Sequence, residues 1–203
     1  VPRPIQKAVD SVKVICISGH AQHGKDTSAQ IMRKCLWGYG KKVLIIHYAD
    51  LLKFMCEKFF GWNGEKDEAG RTMLQYIGTD IVRKCDPDFW VKFVCDTLSM
   101  FVGTWDYVLI PDCRFPNEVN LLRTYAFDVV HVNVIREGYD NGLSDEQKAH
   151  LSEHAMDGML ADHIIMNSGT ISDLVREILG FIRPLYAAEE EKIDGENHIY
   201  DIA

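Results

Sequence analysis

The sequence is short of positive charge. Its 203 residues hold 22 lysines and arginines against 30 aspartates and glutamates, a formal net charge of −8. A surface of that sign repels nucleic acid and acidic membranes, which excludes a general binder of either. Phosphate ligands remain open to it, provided a few cations gather in one cleft. No apolar run approaches membrane-spanning length. Val1 to Asp10 lacks the apolar stretch of a signal peptide. The six cysteines, Cys16, Cys35, Cys56, Cys85, Cys95 and Cys113, are scattered without a C-x-x-C pair. Neither a disulfide framework nor a zinc site is expected, and they read as reduced core residues of an intracellular, cytoplasmic protein. There is no internal repeat. With 47% hydrophobic and 26% charged residues, the chain suits one globular domain with a large core and room for a lid.

Against these absences one stretch stands out. Val12 to Ile31 reads VKVICISGHAQHGKDTSAQI. The run Val14-Ile15-Cys16-Ile17 is what a strand buried on both faces looks like. Gly19 and Gly24 then bracket four residues, Lys25 follows, and Ala29, Ile31, Met32, Cys35 and Leu36 recur at helical spacing. Strand, glycine-bounded loop and helix is the context of a phosphate-binding loop. Glycines let the backbone turn tightly, so that N–H groups and the helix start form an anion site. Lys25 adds a mobile charge for the outer phosphates. The strict pattern asks for Ser or Thr directly after the lysine. Here Asp26 holds that place, followed by Thr27 and Ser28. Asp26 is able to hold magnesium directly or through water, since that ion keeps several waters. The plainer reading is a turn with an aspartate favoured by the helix dipole.

The rest of the chain alternates strands with helices. Val1 to Ser11 reads as a mobile arm. A helix over Lys25–Trp37 stops at Gly38-Tyr39-Gly40. Val43 to His47 is a second buried strand, joined to the first by a right-handed crossover. Asp50 and Lys53 follow its carboxyl end, where open parallel sheets bind ligands, although an N-cap and a solvated lysine describe them equally well. Residues 51–103 read as helices alone. On the helix over about Glu68–Cys85, Arg71, Gln75, Thr79 and Arg83 make one polar stripe, suited to a phosphate and a base or simply to solvent. Asp86-Pro87-Asp88 starts an aromatic helix in which Trp90 is either core or a cover for ligand. Tyr107 to Pro111 is a third strand. It ends in Asp112, where nucleotide-binding folds place a magnesium-organising carboxylate, with Arg114 poised to fork onto a phosphate. Asn117 to Tyr125 is a helix and Val129 to Ile135 a fourth strand ending at Arg136. Glu137 to Ser152 is a polar excursion able to close over a ligand, with a helix then expected to about Leu160. Asp162 to Met166 is a last strand. The turn Asn167-Ser168-Gly169-Thr170 is shaped to cradle an adenine ring. The final helix spans Ile171–Ile182 and breaks at Pro184, and 187–203 reads as an acidic flexible tail.

Taken together, GHAQHGKDT, YADLLK, GRTMLQYIGTDIVR with DPDFWV, DCRFPNE, VIRE, SEHAMD and DHIIMNSGT resemble the deoxynucleoside monophosphate kinases of tailed phages, a branch of the P-loop small-molecule kinases. The resemblance runs from about Val14 to Ile182. In that family the lysine–aspartate–threonine order is usual. The resemblance implies an α/β, three-layer P-loop kinase fold of about five parallel strands with helices on both faces. It implies one kinase domain over 12–186, with a helical monophosphate-binding part at about 50–103 and a lid at about 136–156. The implied reaction moves the ATP γ-phosphate onto a deoxynucleoside monophosphate, with magnesium.

Position by position, Gly19, Gly24, Lys25, Asp26, Thr27 and Ser28 fall on the ATP phosphate loop, and Asn167 and Gly169 on the adenine-side turn. Asp50, Lys53, Arg71, Gln75, Thr79, Arg83, Trp90, Arg114 and Asn117 fall on the acceptor pocket. The resemblance does not choose between Arg71 and Arg83, or between Gln75 and Thr79. Lys25, Arg114, Arg136 and Asp112 surround the moving group, and Asp26 and Asp112 are the magnesium carboxylates. The expected partner is a small molecule rather than nucleic acid or membrane, a homodimer is left open, and a viral protein would work in the host cytoplasm. Three rival readings stand beside this one. P-loop kinases of the phosphomevalonate or dephospho-coenzyme A type share the fold. A non-catalytic nucleotide-binding module would share the loop. His150-Leu151-Ser152-Glu153-His154 matches the H-x-x-E-H pattern of a zinc peptidase.

Overall fold

The computed structural model describes residues 12–65, 67–125 and 127–200, with backbone alone for 189–200. The expected arm at 1–11 lies outside the described residues, as does the end of the tail at 201–203. Five strands form one sheet, β1 Lys13–Ser18, β2 Val43–Ile45, β3 Tyr107–Ile110, β4 Asp128–Ile135 and β5 His163–Met166. All pairings are parallel, in the order β2-β3-β1-β4-β5. From β1 the chain crosses to β2 at one edge, returns to place β3 between β2 and β1, and then builds β4 and β5 on the other side of β1. The carboxyl end of β1 is therefore the switch point, where crossovers diverge and leave a crevice.

Helices cover both faces, and β1 shows why. Successive side chains along a strand point to opposite faces. Ile15 and Ile17 meet Ala29, Met32 and Leu36 of α1 (Lys25–Gly38) and Leu174 and Ile178 of the last helix. Val14 and Cys16 meet the other layer, through Leu52 and Cys56 of α2 (Ala49–Phe59), Trp90, Val94 and Leu98 of α4 (Phe89–Met100), and Val119 and Leu122 of α5 (Pro116–Thr124). A strand with apolar residues at every position thus feeds two cores. All six cysteines are free thiols, and burial pushes Cys95 up to about 12.

Three local expectations need correction. The helix over 68–85 is α-helical only from Glu68 to Gln75 (α3), and Tyr76–Arg83 continues as a π-helical turn. Such wide turns are rare and cluster at functional sites. The segment after Ser152 is not a helix to Leu160. Helices α6 (Asp145–Lys148) and α7 (Leu151–His154) are single turns. Finally, α8 runs from Ile171 to Tyr200 straight through Pro184. The proline lacks an N–H and forfeits one helical bond, but the helix on either side carries on.

Candidate active site

The loop after β1 has the geometry its glycines allow. Gly19 takes φ +137° and Gly24 +93°, a region that L side chains avoid. A Cβ on Gly19 would overlap the Val134 carbonyl, and one on Gly24 would overlap the Asn167 amide. Gly24 caps α1, so the positive end of that helix faces the loop. Lys25 folds back over the loop, its Nζ donating to the carbonyls of Gly19 at 2.7 Å and His20 at 2.8 Å. Burial, and then the neighbouring Arg114 guanidinium, lower its pKa to about 8.

Beyond this loop lies a cavity of about 370 Å³. Its lining draws on Lys25 and Asp26, on Lys53 of α2, on Asp112 and Arg114 after β3, on Trp90, and on the whole stripe Arg71, Gln75, Thr79 and Arg83. The stripe faces the cavity rather than solvent. Trp90 is a buried core residue that also lines the cavity, with Nε1 donating to Gly78 O at 3.0 Å. Asp112 accepts from the backbone N–H groups of Tyr48 at 2.9 Å and Ala49 at 3.0 Å, which pins the start of α2 to the end of β3.

Four expected site residues have other surroundings. Asn117 does not line the cavity. Its amide donates to Pro87 O and to Asp88 Oδ1, at 3.0 and 2.8 Å, and so clasps the turn before α4. Arg136 stacks over the Tyr139 ring at 3.8 Å. Asn167 braces the phosphate loop by donating to His23 O at 2.9 Å. Asp50 does not line the cavity either, accepting from the His47 N–H at 2.8 Å and pairing with Lys53. Thr27 is exposed on α1, while Ser28 is buried and hydrogen-bonds Gly24 O through its backbone N–H. Beside the turn at 167–170, Asp173 accepts from Thr170 and packs against Gly169.

Three residues to which the kinase reading of the sequence assigns no role are central here. His47 Nε2 lies 2.9 Å from Asp26 Oδ1 and its Nδ1 lies 3.4 Å from Asp50 Oδ2. Burial opposes the imidazolium, but hydrogen bonds to Asp26 and Asp50 outweigh it and push His47 up to about 9. Burial likewise opposes the charge on Asp50, yet His47 holds that carboxyl well below the usual range. Glu153, on α7, pairs with the Arg114 guanidinium and accepts the Ala21 N–H of the phosphate loop at 3.1 Å. Glu118, on α5, pairs with Arg83 from within the wall. The two histidines of H-x-x-E-H do not share a helix face. His150 is the N-cap of α7 and bonds Ser152, whereas His154 bonds Asp157 and Lys148 O. Among the described residues no cluster of three or more His, Cys, Asp or Glu is arranged to hold a metal.

A magnesium ion bound through one or two carboxylates and the nucleotide's own phosphates needs no such cluster. Asp26 at the cavity mouth fits that mode. Asp112 fits it with its second lone pairs, since each oxygen accepts one backbone N–H.

A glycine-bounded loop at the switch point of a parallel sheet, with a lysine folded over it and arginines facing it, defines a P-loop kinase fold. The APS kinase of Mycobacterium tuberculosis, solved with AMPPNP and APS, superposes with a TM-score of 0.50 at 11% identity, covering 85% of this chain and 98% of that one. At such identity the likeness speaks for the fold. The family described as deoxynucleotide monophosphate kinase matches residues 47–178, more than half of the chain, and the chain belongs to that family. The phosphate loop precedes the matched region. The deoxynucleotide monophosphate kinase of Enterobacteria phage T4 is 30% identical over 125 residues, which make up 61% of this chain and 49% of that protein. The chain thus spans about half the length of the curated relative it matches. Among the described residues no helix is long and apolar enough to cross a membrane.

Proposed function

We propose that the protein transfers the γ-phosphoryl group of ATP to a deoxynucleoside monophosphate, giving ADP and the diphosphate. The observation that carries this reading is the convergence on one cavity of Lys25 from the phosphate loop, Arg114 from β3, and Arg71 and Arg83 from the acceptor-side helix. Two phosphorylated molecules meeting there would find cations on both sides of the group that moves. Phosphoryl transfer asks little covalent chemistry of a protein. It asks for two phosphates held in line, charge around the moving group, and exclusion of water.

In this reading the loop N–H groups and Lys25 hold the ATP phosphates, and Asn167 and Gly169 frame the adenine. Asp26 and Asp112 would hold magnesium, which when bound neutralises phosphate charge. Arg114 faces the transferring group. Lys53, Arg71, Gln75, Thr79, Arg83 and Trp90 form the acceptor pocket, with Asp50 holding Lys53 in place and Asn117 fixing the turn before Trp90. The segment at about 136–156 is the lid. Its Leu143, Gln147, Ser152 and Glu153 already line the cavity, and Asn141 O accepts from the Gln22 amide at 2.7 Å. Arg136 lies outside the cavity, on the lid's Tyr139, and has to swing inward to meet a phosphate.

The test is an ADP-release assay with ATP and magnesium across deoxynucleoside monophosphates, ribonucleoside monophosphates, phosphomevalonate and dephospho-coenzyme A. Turnover that depends on deoxynucleoside monophosphates is expected. Turnover confined to the other metabolites, or independent of any acceptor, contradicts the reading.

A further inference from the structure

Glu118 is 1% exposed in the wall of the cavity. A buried carboxylate is tolerated only when paired and hydrogen-bonded. Its Oε2 accepts the backbone N–H of Arg114 at 2.5 Å and that of Phe115 at 3.0 Å, and its Oε1 pairs with the Arg83 guanidinium. Helix capping explains one of these three contacts. Phe115 is the N-cap of α5, Pro116 opens the helix, and a glutamate three residues after the cap commonly reaches back to the cap N–H. Capping does not require a buried guanidinium from a distant helix, nor a bond to the residue before the cap.

Those two extra contacts join the two halves of the cavity. Arg83 ends the π-helical turn on the acceptor side. Its Nη1 donates to Pro87 O at 3.1 Å, and its guanidinium lies over the Phe115 ring at 4.1 Å. Arg114 leaves β3 on the side of the phosphate loop and carries the guanidinium that faces Glu153. Between them stands one carboxylate. Its own backbone carbonyl accepts the Tyr48 hydroxyl at 2.6 Å, and the Tyr48 N–H is bound in turn by Asp112. Arginine side chains have wide rotamer freedom, and a fixed fork-to-carboxylate pairing removes it.

We propose that Glu118 is a positioning residue, setting the acceptor-side Arg83 at a fixed place relative to the Arg114 backbone, so that an acceptor phosphate is held in line with the donor. The inference rests on the kinase reading above. Because Glu118 acts through Arg83, its loss weakens acceptor binding and leaves ATP binding intact.

The experiment is a double-mutant cycle on the full chain, with Glu118→Gln, Arg83→Gln and the two combined. KM and kcat are measured separately for ATP and for the deoxynucleoside monophosphate that the wild type turns over best. Glu118→Gln is expected to raise the acceptor KM about tenfold, as expected for losing one hydrogen bond between charged groups, with the ATP KM within about twofold of wild type. The combined variant should be no worse than Arg83→Gln alone. That variant also guards against misfolding, since two amides in place of a buried ion pair leave no charge uncompensated. An unchanged acceptor KM, equal changes in both KM values, or additive losses in the combined variant would overturn the proposal while leaving the kinase reading standing. A wild type without acceptor-dependent turnover would overturn both.

Discussion

A carboxylate sits where phosphate oxygens are expected. Glu153 reaches from α7 into the phosphate loop, takes the Ala21 N–H at 3.1 Å and pairs with Arg114, and its side chain is only 6% exposed. A nucleotide phosphate that uses the same N–H and the same guanidinium has to displace it. Glu153→Gln keeps the shape and one acceptor oxygen but removes the charge. A hydrogen bond to a charged group contributes about 1.5–3 kcal/mol, against about 1 kcal/mol for a neutral one. The two contacts together should therefore lose about 1–4 kcal/mol, and about 1.4 kcal/mol is tenfold in an equilibrium constant. The variant should bind ADP, and inorganic tripolyphosphate as a base-free probe, about tenfold more tightly in calorimetric titration. Its unliganded form should melt at a lower temperature, because the tie from α7 to the loop is weaker. Nucleotide affinity that is unchanged or reduced in a folded variant would refute the reasoning, and would mean that Glu153 supports the bound state instead.

Other expectations follow from the same geometry. Lys25→Ala should reduce turnover by more than about a hundredfold with the fold intact by circular dichroism; near-normal activity would remove Lys25 from its assigned role. Burial and Arg114 lower Lys25 to about 8, and phosphates raise it again, so nucleotide binding near pH 9 should take up a proton. Titrations in buffers of different ionisation enthalpy read this directly. Gly24→Ala puts a side chain at φ +93° and into the Asn167 amide. It should destabilise by about 1–2 kcal/mol in denaturant titration and weaken ATP binding. Glu118 is pushed up to about 7 by burial, which outweighs its pairing with Arg83. A carboxyl raised in the folded state is fully tolerated below its unfolded value, near 4.5, and costs stability as pH rises from there through 7. Chemical unfolding from pH 4.5 to 7 should show that decline in the wild type, and less of it in Glu118→Gln.

The fold was legible because its signals are local and redundant. Five apolar runs, each bounded by turn residues, set the strands, and the Gly19–Lys25 loop set the switch point. The four polar residues from Arg71 to Arg83 share a face at helical spacing, and the wide π turn keeps them together in the cavity wall. What spacing does not carry is which partner a charged side chain meets. Glu118 reads as a capping residue, and only the fold brings Arg83 against it. Glu153 sits inside a zinc-peptidase pattern that fails because α7 is a single turn with His150 outside it. Asn117 falls in a pocket motif yet faces the turn at Pro87. By local rule Pro184 is a helix breaker, while packing of Leu174, Ile178 and Ile182 against the sheet holds the helix up to that point and α8 continues beyond it.

The most direct measurement follows the moving group itself. With γ-radiolabelled ATP, magnesium and a panel of deoxynucleoside monophosphates, the label should appear in the deoxynucleoside diphosphate, and Lys25→Ala should slow that transfer more than about a hundredfold. Label that stays in ATP, or emerges only as inorganic phosphate whichever acceptor is supplied, would contradict the account.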